Sequence, residues 1–123
     1  MASSDITLLL PQNDTESPEL SIVIPALNEE ITVGHFVDWC KQGIATAGIS
    51  AEILIIDSST DRTAEVAVSR GARVLKTPKR GLGRAYIDAL PYIRGQYVLL
   101  GDADCTSHAA RSRCLHAQPI VRL

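Results

Sequence analysis

Ala51 to Arg70 runs AEILIIDSSTDRTAEVAVSR, and this stretch decides the fold. AEILIID is a strand-length run of apolar, mostly branched side chains ended by an aspartate. SSTD then offers cap residues, TAEVAVSR follows as a helix, and Gly71 closes it. A strand that is apolar along its whole length, rather than at alternate positions, is buried on both faces. That predicts a parallel sheet covered by helices on each side.

The same alternation extends outward in both directions. Upstream, SIVIP (Ser21 to Pro25) is a β-branched run that a proline ends. After the turn ALNEE, Val33, Phe36, Val37, Cys40 and Ile44 recur at helical spacing, with Asn28 available as N-cap and Glu29 and Glu30 in the favoured first turn. Downstream, ARVLKT is a shorter third strand. The loop TPKRGLGRA then leads into a helix near Gly83 to Leu90, and QYVLLGDAD is the fourth strand. Strands alternating with helices give an α/β class with a mostly parallel sheet.

The ends differ from this core. Residues 1–18 carry Ser, Asp, Asn, Glu and Pro around a short apolar patch, which suggests a disordered leader without the charge pattern of a signal peptide. The expected domain is 19–106. All 14 acidic residues lie at or before position 104, whereas the last 19 residues hold three arginines, two of the three histidines and two of the three cysteines. Residues 107–123 therefore suggest an irregular basic tail, as if the sheet were truncated after its fourth strand.

Length and composition narrow the function classes. With 123 residues, 46% hydrophobic and 21% charged, and a net charge of -2, the chain suits one globular domain and not a nucleic-acid binder. No apolar run approaches the roughly 20 residues that cross a bilayer. Three scattered cysteines without a CxxC pair fit a reduced, cytoplasmic setting and argue against structural zinc.

In parallel α/β sheets, ligands bind beyond the carboxyl ends of the strands. Those ends carry Pro25, Asn28 and Glu29, then Asp57, Ser58 and Ser59, then Asp102 and Asp104. Each has a plainer reading as well: Asn28 and Glu29 as a helix start, Asp57 as a turn residue. The aspartate pair of YVLLGDADCT (Tyr97 to Thr106) is harder to read as ornament, because neighbouring carboxylates repel unless a cation or hydrogen bonds compensate. They could clamp a metal under a diphosphate. As DxDxT, the first could instead be a nucleophile and the second its acid, although that chemistry needs a lysine and further acids downstream, and none follows here. In PKRGLGRA, Lys79, Arg80 and Arg84 could meet phosphates, but Tyr86 stands where a third glycine would complete a dinucleotide fingerprint.

SIVIPALNEE, ILIIDSSTDRTAEVA, GLGRAYIDAL and YVLLGDADCT, in that order and spacing, resemble the N-terminal half of family 2 glycosyltransferases, which include dolichyl- and polyprenyl-phosphate sugar transferases. The resemblance covers about Leu20 to Thr106. It implies a GT-A, Rossmann-like fold and inverting transfer of a sugar from a UDP- or GDP-sugar, assisted by Mg2+ or Mn2+. It implies that Pro25, Leu27 and Glu29 line the nucleoside pocket, that Asp57 bonds the base with Ile55 nearby, and that Arg84 reaches the donor phosphates. Asp102, Ala103 and Asp104 would form the DxD motif, with Asp102 towards the ribose or sugar and both carboxylates serving the metal. The acceptor, a polyprenyl phosphate or another small molecule, is bound in this family by residues after that motif, which also supply the catalytic base. No acid follows Asp104. The chain thus resembles the donor-binding half, with donor binding without transfer as the alternative function.

Overall fold

The structure is a computed structural model in which residues 6–12, 14–15, 17–78, 82–101 and 120–122 are described. Six strands and three α-helices follow one another as β1 (Thr7–Leu9), β2 (Leu20–Ala26), α1 (Val33–Ala47), β3 (Ala51–Asp57), α2 (Thr63–Ser69), β4 (Arg73–Lys76), α3 (Leu82–Ala89), β5 (Tyr97–Leu100) and β6 (Ile120–Arg122). They form one sheet in the order β1-β4-β3-β2-β5-β6. The four inner strands are parallel and the two edges antiparallel.

Period-two geometry sorts the apolar strand residues between two cores. Ile22 and Ile24 of β2, Ile53 and Ile55 of β3, Val74 of β4 and Leu99 of β5 pack with Val33, Phe36, Val37 and Cys40 of α1 and Ala64 and Ala67 of α2. The alternating residues Val23, Leu54, Ile56, Leu75 and Val98 face the other way and meet Ala89, with Ala85, Tyr86, Tyr92 and Ile93 packed against them. Each of these buried aliphatic side chains contributes about 1.5–3 kcal/mol relative to exposure. Burial on both faces is why these strands carry no polar alternation.

Two residues test the strand assignments. Pro25 lies in β2, an inner strand, yet removes no ladder bond. Val23 O accepts from Gly101 N at 3.1 Å, so the backbone groups of odd-numbered β2 residues face β5, whose last register partner is Val23↔Leu100. The N–H that proline lacks would fall beyond that pairing. Gly95 sits where backbone passes backbone: a Cβ there would lie 2.7 Å from Ser21 N and 2.8 Å from Leu20 C.

Several expectations need correction. Within the segment expected to be a disordered leader, Thr7–Leu9 is a strand paired with Lys76 to Val74 of β4, because it covers an otherwise open sheet edge. The tail contributes Ile120–Arg122 as β6 against β5, so the sheet continues beyond its fourth parallel strand. Helix α1 starts at Val33 with Thr32 as N-cap and has no acid in its first turn, so Asn28 does not cap it. Gly71 does close α2, at φ +103, with its N–H donated to Val68 O at 3.0 Å.

Candidate functional site

Chain order reverses between β2 and β5: β3 and β4 lie on one side of β2, and β5 lies on the other. A crevice opens at such a switch point, at the carboxyl ends of the strands. The β2–α1 and β3–α2 loops leave the sheet at that rim, and β5 ends there at Leu100.

Asp57, the last residue of β3, is 1% exposed. Its Oδ1 accepts the Ser59 N–H at 3.1 Å, and its Oδ2 is buried with no hydrogen-bond partner among the described residues. Burial raises the Asp57 pKa above the usual aspartate value, against hydrogen bonds from Ser59 and the charge of Lys76, with Asp61 adding to the rise. An unmatched buried acceptor costs about 1–3 kcal/mol. Asp57 lies at the carboxyl-end rim of the parallel strands.

The two loops are sewn together. Asn28 donates its backbone N–H to Ser59 Oγ at 2.6 Å and accepts the Thr60 N–H at Oδ1 at 3.1 Å. Glu29 N–H donates to Thr63 Oγ1 at 2.9 Å, Glu30 N–H to Asp61 Oδ2 at 3.4 Å, and Arg62 N–H to Glu30 Oε1 at 3.3 Å. Asp61 Oδ1 also accepts from the Thr63 hydroxyl at 2.5 Å and from Thr63 N at 3.0 Å at the start of α2, and these bonds, the hydroxyl's foremost, hold its carboxyl below the usual range. The Glu29 carboxylate accepts from Thr32 Oγ1 at 3.1 Å.

The expected site residues fall into four groups. Pro25, Leu27, Glu29 and Asp57 gather on or beside these two loops, with Leu27 exposed and Pro25 and Glu29 half-buried. Ile55 has no exposed surface and packs in the core beneath α1 and α2. Arg84, in the first turn of α3, directs its Nε to Asp88 Oδ1 at 3.1 Å, one turn along the helix. Asp102, Ala103 and Asp104 lie outside the described residues, as do Lys79 and Arg80. Sequence reading missed Thr60 and Thr63 as cross-loop partners. The dense hydroxyl and carboxylate run SSTDRT, too polar for one helix cap, was the available signal.

Whether these residues suit a divalent cation can be tested on the donors. Among the described residues, no three His, Cys, Asp or Glu side chains converge on a metal position. The hard oxygen donors next in sequence after Gly101 are Asp102 and Asp104, and Gly101 is pinned to Val23 at the switch point. Two carboxylates suit Mg2+ or Mn2+ and leave coordination positions for other oxygens.

Residues 21–112 match the model of the family described as Glycosyl transferase family 2. The low-salt glycan biosynthesis hexosyltransferase of Haloferax volcanii is 42% identical over 99 residues, covering 80% of this chain and 24% of that protein. The crystal structure of mannosyl-3-phosphoglycerate synthase from Rubrobacter xylanophilus is similar with a TM-score of 0.67 and 34% identity, over 73% of this chain and 32% of that one. Glucosyl-3-phosphoglycerate synthase from Mycobacterium tuberculosis, in complex with Mn2+, uridine diphosphate and phosphoglyceric acid, is similar with a TM-score of 0.60 and 34% identity, over 71% of this chain and 33% of that one. The chain spans about a quarter to a third of the length of these relatives. Its parallel sheet and flanking helices match GT-A structures.

Proposed function

The chain belongs to glycosyl transferase family 2, and on that premise we propose that its carboxyl-end rim binds a UDP- or GDP-sugar with a divalent cation for transfer of the sugar. The observation that carries this reading is the buried Asp57 Oδ2 without a partner, set at the rim beside the β2–β5 switch point. A nucleobase N–H supplies the missing donor, and both uracil and guanine present one. Leu27 offers exposed apolar surface beside it for the base, and Pro25 and Glu29 flank the same loop.

Asp102 and Asp104 would hold Mg2+ or Mn2+, which, when bound, neutralises charge on the leaving diphosphate. The chain's own residues do the rest of the donor work. Asp57 orients the base, the clasped loops keep its pocket in shape, and Arg84, at the start of α3, offers a cation to the phosphates if it leaves Asp88. Inverting transfer further requires a base beside the acceptor hydroxyl. No acid follows Asp104 in this sequence, which favours donor binding as the part of the reaction these 123 residues carry. The acceptor in the proposed reaction is a polyprenyl phosphate or another small molecule, bound by residues other than those described.

Calorimetric titration with UDP and GDP, each with and without Mn2+, tests this. One of the two nucleotides binds in the presence of Mn2+, and Asp104→Asn abolishes the effect of the metal. Failure of both nucleotides to bind, with or without Mn2+, overturns the reading.

A further inference from the structure

Asn28 is the only described residue other than glycine at positive φ, at +54°. Asparagine tolerates this left-handed conformation better than most side chains, but glycine adopts it without cost. The conformation alone therefore gives no reason for a side chain here, and neither does helix capping, since α1 begins at Val33 with Thr32 as its N-cap. What the side chain does is reach across to the neighbouring loop. Its Oδ1 accepts both the Thr60 N–H at 3.1 Å and the Thr60 hydroxyl at 3.4 Å, while the backbone N–H donates to Ser59 Oγ at 2.6 Å.

Ser59 is the next link. Its own N–H donates to Asp57 Oδ1, which fixes the carboxylate with Oδ2 left over. Asn28 thus touches both residues that follow Ser58, and one of them touches Asp57. On its own loop, Asn28 lies between Leu27 and Glu29, whose N–H is held by Thr63 of α2.

We propose that Asn28 is a positioning residue for the nucleotide: it clasps Ser59 and Thr60 so that the β2–α1 and β3–α2 loops meet one base in a fixed register. This rests on the donor reading above. Without the clasp, the two loops keep their Glu29–Thr63, Glu30–Asp61 and Glu30–Arg62 bonds near α2 but lose the bonds that hold Ser59 and Thr60, next to Asp57, in register with Leu27. Ligand binding then has to order them, which weakens affinity without new contacts being lost.

Three variants of the full chain test the role against UDP and GDP in the presence of Mn2+, with thermal melts alongside. Asn28→Gly keeps the left-handed backbone and removes the acceptor. Asn28→Asp keeps an acceptor for Thr60 and tolerates the same φ. Ser59→Ala removes the oxygen that receives the Asn28 N–H. The expected result is binding about tenfold weaker for Asn28→Gly and for Ser59→Ala, the loss that one or two neutral hydrogen bonds carry, with Asn28→Asp within about threefold of the parent. If Asn28→Gly fails to fold, Ser59→Ala and Asn28→Asp decide. Parent-like binding by Asn28→Gly or Ser59→Ala overturns the proposal, and so does equal weakening by Asn28→Gly and Asn28→Asp, which marks a packing role. Asp57→Asn separates the two readings: if the parent binds neither nucleotide, or Asp57→Asn binds as the parent does, the donor reading itself fails.

Discussion

Ser59 donates its backbone N–H to Asp57 Oδ1 at 3.1 Å, and the other oxygen of the same carboxylate is buried without a partner among the described residues. One half of the group is held, and the other is the half that, in the proposed function, meets the base. Because burial raises the Asp57 pKa, folding favours the protonated acid. Its contribution to stability is present below the ordinary value of 3.8 and is lost as pH rises through the raised folded value. A ligand N–H prefers the ionised form, so nucleotide affinity moves in the opposite sense and increases across that window. Titrations upward from about pH 4 should show dissociation constants falling with pH more steeply in the parent than in Asp57→Asn, where only the phosphate and the other carboxylates titrate.

At the other end of the sheet, Glu52 anchors a buried charge network. Its carboxylate accepts from Ser21 Oγ at 2.5 Å, Arg73 Nη1 at 3.0 Å, Arg94 N at 3.0 Å and Arg94 Nε at 2.9 Å. Burial alone would raise its pKa, but the hydrogen bonds from Ser21 and Arg94 outweigh it and hold the carboxyl below its usual 4.5. The stability this provides is present above that value and is lost as pH falls through the lowered one. Glu52→Ala leaves the buried Arg73 guanidinium with only the Tyr92 carbonyl and the more distant Asp14 carboxylate, and should cost about 3–5 kcal/mol. Urea unfolding at neutral pH measures the loss, and the variant's stability should fall less steeply than the parent's on acidification.

Gly95→Ala should destabilise by about 1–3 kcal/mol, because the added methyl meets Ser21 and Leu20 backbone that cannot swing aside. The urea midpoint should drop with an unchanged slope. An unchanged midpoint would show that the chains separate there easily.

Cys40 lies in the α1 core with no exposed surface, and burial pushes its thiol up to about 12. Native protein at about pH 8 should leave Cys40 unmodified by a thiol reagent while denatured protein reacts. Peptide mapping by mass spectrometry distinguishes it from Cys105 and Cys114.

The inner strands were legible because AEILIID and SIVIP carry branched side chains on both faces, and only a doubly covered parallel sheet accommodates that. Thr7–Leu9 and Ile120–Arg122 were not, since three-residue edge strands leave too short a pattern and gain their stability from the partner strand. Of the site, Asp57 and Glu29 were visible as polar residues at strand ends. The clasp was invisible because its bonds join residues 31 and 32 positions apart, and Asn28 read locally as a cap. Glu52 gave a signal that went unused: a buried carboxylate one residue into an otherwise apolar strand requires cations, and the buried Arg73 and the more exposed Arg94 are those cations.

The most direct test of the account is the binding of UDP and GDP, with Mn2+, to the parent chain and to Asp57→Asn, with melting temperatures recorded for both. Asp57→Asn should bind at least about tenfold more weakly than the parent, while its melting temperature is equal or higher because burial no longer penalises a charge there. Unchanged affinity in Asp57→Asn would contradict the claim that this carboxylate reads the base.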